Sequence, residues 1–351
     1  LFAAVALLPV SCSSGNTITI QGGGATFPAP LYKRWFLEFY RQHPDVRVNY
    51  QAIGSGAGVH QLEEGLFDFA ATDEALKEAR LLDIGKKLGE REHGEVELIQ
   101  FPLTAGGVAL CYNLPGNPHL KLTREAYMGI LLGDIVWWDD PAIQSANESG
   151  LPHLRIVFVR RAESSGTTFV FTTHLSAIDE RWKHGEGLGA AKSVQWRVGI
   201  GGKGNSGVAA LIQQTPGAFG YIEAGYAELV GLPAAAVENK KGNFVQPTEA
   251  SCAIALKEAK FDKVLGTTVP DPEGEDAYPI VTFTWVVCRT HYADKRVATE
   301  LKAVFEYCLG TGTGGGQDLS SSLGYAPMPP EALEKSRAKL KLIDADRETT
   351  P

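Results

Sequence analysis

Cysteine is scarce in this chain: five in 351 residues, none in a CxxC pair, which removes the zinc-ribbon and dithiol redox motifs from consideration. The eight histidines form no HExxH and no zinc-like grouping, so no structural metal and no cofactor is expected. Basic charge is also short, with 33 Lys and Arg against 41 Asp and Glu for a net −8. That balance argues against nucleic acid or an acidic membrane surface as the main partner. Beyond the first ten residues no apolar run approaches the roughly 18 residues that span a bilayer. The sequence has no internal repeat and no long low-complexity linker.

What is present is ample apolar material, 44% of residues, over a length that suggests two domains. The opening "LFAAVALLPVSCSSGNT" reads as the end of an export signal, residues 1–12, with Cys12 placed for lipidation although Pro9 stands where leucine is usual. The other cysteines, Cys111, Cys252, Cys288 and Cys308, are widely spaced. Cys111 and Cys288 sit in strand-like runs, and free core thiols are expected.

Short β runs alternate with amphipathic helical stretches. "TITIQG" and "VRVNYQAIG" predict strands, and "APLYKRWFLEFYRQH" predicts a helix burying Leu31, Trp35, Phe36, Phe39 and Tyr40. This is an α/β pattern. Two long apolar runs, "GGVALCYNLPGNPH" and "YPIVTFTWVVCRTH", stand far apart and could carry the chain from one lobe to another and back. Trp137 and Trp138 are expected in the second lobe's core, and His174 and His184 beside a solvated helix face.

The chemistry gathers in four places. "GGGATFPAP" (22–30) exposes backbone amides before a helix start, with Thr26 as its cap and Pro28 in its first turn. "AIGSGAGVHQLEEGL" leads from a strand through Ser55 into a helix, and "VFVRRAESSGTTFVFTTHL" sets Arg160 and Arg161 before Ser164, Ser165, Gly166 and Thr167. "FDFAATDEALKEA" ends a strand at Asp73. Taken singly, each turn is a helix cap, Asp73 caps a helix beginning at Glu74, and Arg161 pairs with a surface carboxylate. Taken together, three Gly/Ser/Thr-rich turns and an arginine are what a small tetrahedral oxyanion needs to exchange its hydration shell for fixed donors.

The stretches "GATFPAPLYKRW", "NYQAIGSGAGVHQ", "DFAATDEAL", "VFVRRAESSGTTFVF", "GGKGNSGVAA" and "PGAFGYIEAGYA" follow one another as in the phosphate-binding proteins of bacterial phosphate ABC transporters, which the chain resembles from about Ile18 into the 330s. The resemblance implies a two-lobed periplasmic-binding-protein fold of type II with two crossover hinge strands. The expected division is 17–112 with 285–351 as lobe I and 113–284 as lobe II. It also implies ligand groups at Thr26, the Phe27 amide, Ser55, Asp73, Arg161, Ser165, Gly166 and Thr167.

Asp73 would accept the proton that phosphate retains near neutral pH, which fully ionised sulfate does not offer. Where the family often has aspartate this chain has Glu163, followed by Ser164 in place of a frequent glycine. Glu163 could pair with Arg161, turn to Arg160, or lie exposed at the cleft rim. Partners so implied are inorganic phosphate and a membrane permease, with a monomer acting outside the cytoplasmic membrane and any membrane contact made through a lipid on Cys12.

An enzyme is not expected. "GKGNSG" at 202–207 satisfies GxGxxG without the surrounding βαβ unit and acidic residue, and no histidine sits in a triad motif. The alternatives are a binder of sulfate or molybdate and, further off, a phosphatase.

Overall fold

The computed structural model describes residues 17–148 and 150–344, so the signal-like residues 1–12 and Cys12 lie outside the described residues. Its strands are β1 (Ile18–Gly24), β2 (Val46–Gln51), β3 (Phe69–Thr72), β4 (Leu98–Tyr112), β5 (Lys121–Leu122), β6 (Val157–Arg161), β7 (Ile200–Gly202), β8 (Ala218–Glu223), β9 (Ala236–Glu238), β10 (Phe244–Val245) and β11 (Val281–Arg289). Eight of them form one sheet in the order β2-β1-β3-β11-β4-β8-β6-β7, and β10-β9-β5 form a small second sheet.

The long sheet has two parallel wings and an antiparallel centre. β1 pairs in parallel with β2 and β3, and β6 with β7 and β8. Between them run the two long apolar strands singled out in the sequence, β4 and β11, antiparallel to each other and buried along their whole length. β4 is shared: Leu98–Gly107 lie against β11, and Val108–Tyr112 lie against β8. One strand thus links the sheet of the first half to that of the second, as expected of a two-lobed fold with crossover strands.

Parallel pairing forces each wing strand to return through a helix. The helix Ala29–Gln42 buries Leu31, Trp35, Phe36 and Phe39 as its spacing predicts, with Tyr32 joining them. Tyr40 is only half-buried, because it falls at the edge of the apolar stripe. The helix Ser55–Glu63 lies so close to β1 that a Cβ at Gly58 would stand 2.3 Å from Gly24 Cα, so only glycine fits there. Such approach draws the helix start down onto the strand end, where the site forms.

The four described cysteines are buried and free. Trp138 is fully buried, its Nε1 donating to Gly217 O at 3.0 Å, but Trp137 is 39% exposed and stacked on His153. Adjacent residues here point to opposite sides, so one tryptophan had to leave the core. His174 is also not solvated: it is buried, bonded to Tyr127 Oη at 2.8 Å and Pro270 O at 2.7 Å, and burial pulls its pKa down to about 4.

Candidate functional site

In a parallel sheet the C-terminal ends of the strands share an edge, and the turns leaving them converge. In the first half those turns carry Thr26 and Phe27 after β1, Ser55 after β2 and Asp73 after β3. In the second half they carry Ser165, Gly166 and Thr167 after Arg161 at the end of β6, and Gly204 and Asn205 after β7.

The two sets meet. Gly166 N donates to Ser55 Oγ at 3.2 Å, Gly56 N to Ser164 O at 3.3 Å, and Asn205 to Thr26 Oγ1 through its backbone N at 3.3 Å and Nδ2 at 3.1 Å. At the rim Lys192 Nζ lies 2.7 Å from Glu74 Oε2. A Cβ at Gly166 would stand 2.5 Å from Ser55 Oγ and 2.6 Å from Asp73 Oδ2. Any side chain at 166 would therefore hold the halves apart. The helices Ser55–Glu63, Gly166–Ile178 and Gly204–Gln214 all begin at this junction, bringing the positive ends of their dipoles together. In the helix from Gly166 the Ser165 hydroxyl oxygen accepts from Thr168 N at 3.2 Å, so Ser165 is also a cap.

Arg161 is buried with its guanidinium oriented on three sides. Its Nη1 donates to Thr167 Oγ1 at 3.2 Å, its Nε donates to Glu163 Oε1 at 2.9 Å, and Nη2 donates to the same carboxylate oxygen. Glu163 Oε1 also accepts from Gly204 N at 3.0 Å. Among the partners open to Glu163, the structure selects Arg161: Arg160 instead donates to Arg161 O at 3.3 Å, and the Glu163 side chain is only 20% exposed. The longer side chain lets one carboxylate hold both the arginine and the start of the helix from Gly204.

Asp73 is 2% exposed. Its Oδ1 accepts from Thr284 Oγ1 at 2.8 Å, while Oδ2 is buried without a hydrogen-bond partner. Burial raises its pKa to about 6, against the opposing hydrogen bond from Thr284 and the charges of Arg161 and Lys192. An acceptor so placed, beside amides and hydroxyls that donate, suits a ligand that is anionic and still carries a proton.

Two sequence expectations change. Thr26 does not cap the following helix, whose cap position is Pro28 and lacks a side-chain bond; its hydroxyl is engaged by Asn205 across the junction. Asp73 caps nothing either, since the next helix starts at Glu78. The Phe27 ring is buried 6.3 Å from that of Tyr325, whose hydroxyl donates to Phe27 O at 2.8 Å and so fixes the turn. Sequence reasoning missed Thr284, Tyr221, Glu223 and Asn205. Tyr221 Oη accepts from Arg161 N at 3.2 Å and meets Thr168 Oγ1 at 2.6 Å, bracing the arginine strand against the helix beside it. Of these, only Asn205 carried a local signal, lying in a glycine-rich turn at a helix start.

Residues 11–311 match the family model described as the PBP superfamily domain. The phosphate-binding protein PstS of Pasteurella multocida is 37% identical over 92% of this chain and 90% of its own length. That of Methanocaldococcus jannaschii is 34% identical over 93% and 86%. Among solved structures, a phosphate-binding protein from Stenotrophomonas maltophilia shares the fold with a TM-score of 0.73 at 21% identity, covering 92% of this chain and 93% of that one. A periplasmic phosphate-binding protein solved with phosphate at pH 8.5 gives 0.74 at 21%, with the same coverage. By this sequence similarity along almost its full length, the chain belongs to the PBP superfamily and, within it, to the PstS family of phosphate-binding proteins.

Proposed function

We propose that the protein captures inorganic phosphate between its two halves outside the cytoplasmic membrane and delivers it to the permease of a phosphate ABC transporter. The groups that take the ion are the Thr26 hydroxyl, the Phe27 amide, Ser55, Asp73, Arg161, Ser165, the Gly166 amide and Thr167. Glu163 holds Arg161 in place. Residues 17–112 with 285–351 form one moving body and 113–284 the other, acting as a monomer without catalysis, and Cys12 is the point of lipid attachment.

The observation that carries this reading is the unpartnered Oδ2 of buried Asp73, set among donors from both halves. Leaving an acceptor buried and unpaired costs about 1–3 kcal/mol, a cost offset when a ligand proton reaches it. Sulfate, carrying no proton at neutral pH, would meet that carboxylate as a repelling charge. The test is calorimetric titration of the protein with phosphate and, separately, sulfate. Phosphate is expected to bind with a dissociation constant of about 1 μM or below, near 8 kcal/mol, and sulfate to leave no heat at the same concentrations. Equal binding of the two, or binding of sulfate alone, overturns the reading.

A further inference from the structure

Asn205 is 1% exposed and lies at the start of the helix Gly204–Gln214, outside the residues the sequence assigned to the site. Both its backbone N–H and its Nδ2 donate to Thr26 Oγ1, a residue of the opposite half. A hydroxyl oxygen has two lone pairs and one hydrogen. With both lone pairs engaged, Thr26 can only donate through its hydrogen, and no described residue receives that hydrogen. Asn205 in turn is held in one orientation, because its Oδ1 accepts from Glu223 N at 3.2 Å. A flipped amide would set Nδ2 against that N–H, donor to donor, and leave Thr26 facing an oxygen.

We infer that Asn205 is a positioning residue that sets the polarity of the anion cleft: through Thr26 it makes one side donor-only, so that the ligand's proton has Asp73 as its acceptor. This rests on the reading of the site as a phosphate cleft. The same bond joins the two halves, so it is complete only when they are together. Asn205 therefore slows ligand escape as well as orienting the ion. Its chain of partners runs from Glu223 N through the amide to the Thr26 hydroxyl and on to the bound anion.

The experiment is stopped-flow and calorimetric measurement of phosphate binding in a double-mutant cycle on the full chain. Asn205→Ala is expected to raise the phosphate dissociation rate by about tenfold or more, the scale of a lost hydrogen bond to a charged group. In a Thr26→Val background, which has no hydroxyl to orient, the same substitution is expected to cost less than about twofold. An equal factor in both backgrounds means that Asn205 serves packing alone, and overturns the inference.

Asn205→Asp is isosteric and keeps the fold testable should the alanine variant not fold. Its carboxylate accepts instead of donating, drawing the Thr26 hydrogen away from the ligand. It is expected to bind phosphate at least about tenfold more weakly than wild type, with most of that loss gone in the Thr26→Val background. A loss that survives there is charge repulsion and overturns the polarity assignment. A wild-type chain that binds no phosphate overturns the functional reading, whereas a wild type that binds and shows no Asn205–Thr26 coupling overturns this inference alone.

Discussion

Two acids are buried in this molecule at the ends of strands, and they do opposite things. Asp73 follows β3 and Glu223 ends β8, with 2% and 0% of their surfaces exposed. Burial raises both, to about 6 for Asp73 and about 8 for Glu223. Glu223 uses both carboxylate oxygens within the fold: Oε1 accepts from Gly225 N at 2.7 Å and Oε2 from Tyr226 N at 2.6 Å, capping the helix Ala224–Leu229. Asp73 engages one oxygen with Thr284 and leaves the other open. A perturbed pKa in a buried acid thus does not mark a binding group; an acceptor left over after the fold has taken its share does.

The sharpest way to break this contrast is Asp73→Asn. The amide cannot receive the ligand's proton as a carboxylate does, and the preference for phosphate over sulfate is expected to fall by about a hundredfold, the upper scale of a charged hydrogen bond. Competition calorimetry reads it directly, and an undiminished preference would refute the role of Asp73. Glu223→Gln should act on the other side of the comparison. Glutamine offers one acceptor oxygen to two amides and turns a donor on the second, so unfolding in urea should show a loss of about 1–3 kcal/mol. Phosphate affinity is expected to stay within about threefold, since the Glu223 N–H that holds Asn205 belongs to the backbone and survives the substitution. A large loss of affinity at constant stability would instead make Glu223 part of recognition.

The smallest effect is in pH. Both groups have folded pKa values above their unfolded ones, so each favours the fold fully below the ordinary carboxylate range and loses that contribution as pH rises, Asp73 through about 6 and Glu223 through about 8. Ligand-free protein should therefore melt lower at pH 7 than at pH 5, through Asp73 up to about pH 6 and through Glu223 across the whole interval, by about 2–4 °C for each kcal/mol lost. Asp73→Asn should lessen the fall below about pH 6 and leave in place the Glu223 decline, which continues to about pH 8.

Much of this was legible in the sequence because it is local. The alternation of β runs with apolar helical stripes gave the α/β class, the two long apolar runs became β4 and β11, and the glycine- and hydroxyl-rich turns stand at the strand ends where they were placed. What stayed hidden depends on contacts between distant residues. Thr284 reaches Asp73 from 211 residues away, and Asn205 reaches Thr26 from 179. No local pattern announces such pairs, so Thr26 read as a helix cap when its oxygen belongs to the opposite half. His174 was misplaced for a related reason: its ring is satisfied by Tyr127 and by a carbonyl 96 residues away at Pro270. Trp137 and Trp138 are neighbours in sequence, yet one fills the core and the other stacks outside on His153.

The four interior thiols carry a consequence of their own. Burial pushes each one up, Cys288 to about 12, so in the folded chain almost none is present as the reactive thiolate at neutral pH. They sit on β4, β11 and two helices, spread through the interior. Alkylation at these sites must wait for the core to come apart, which makes them an internal clock for global opening and leaves the fold's integrity independent of whether the surroundings oxidise or reduce.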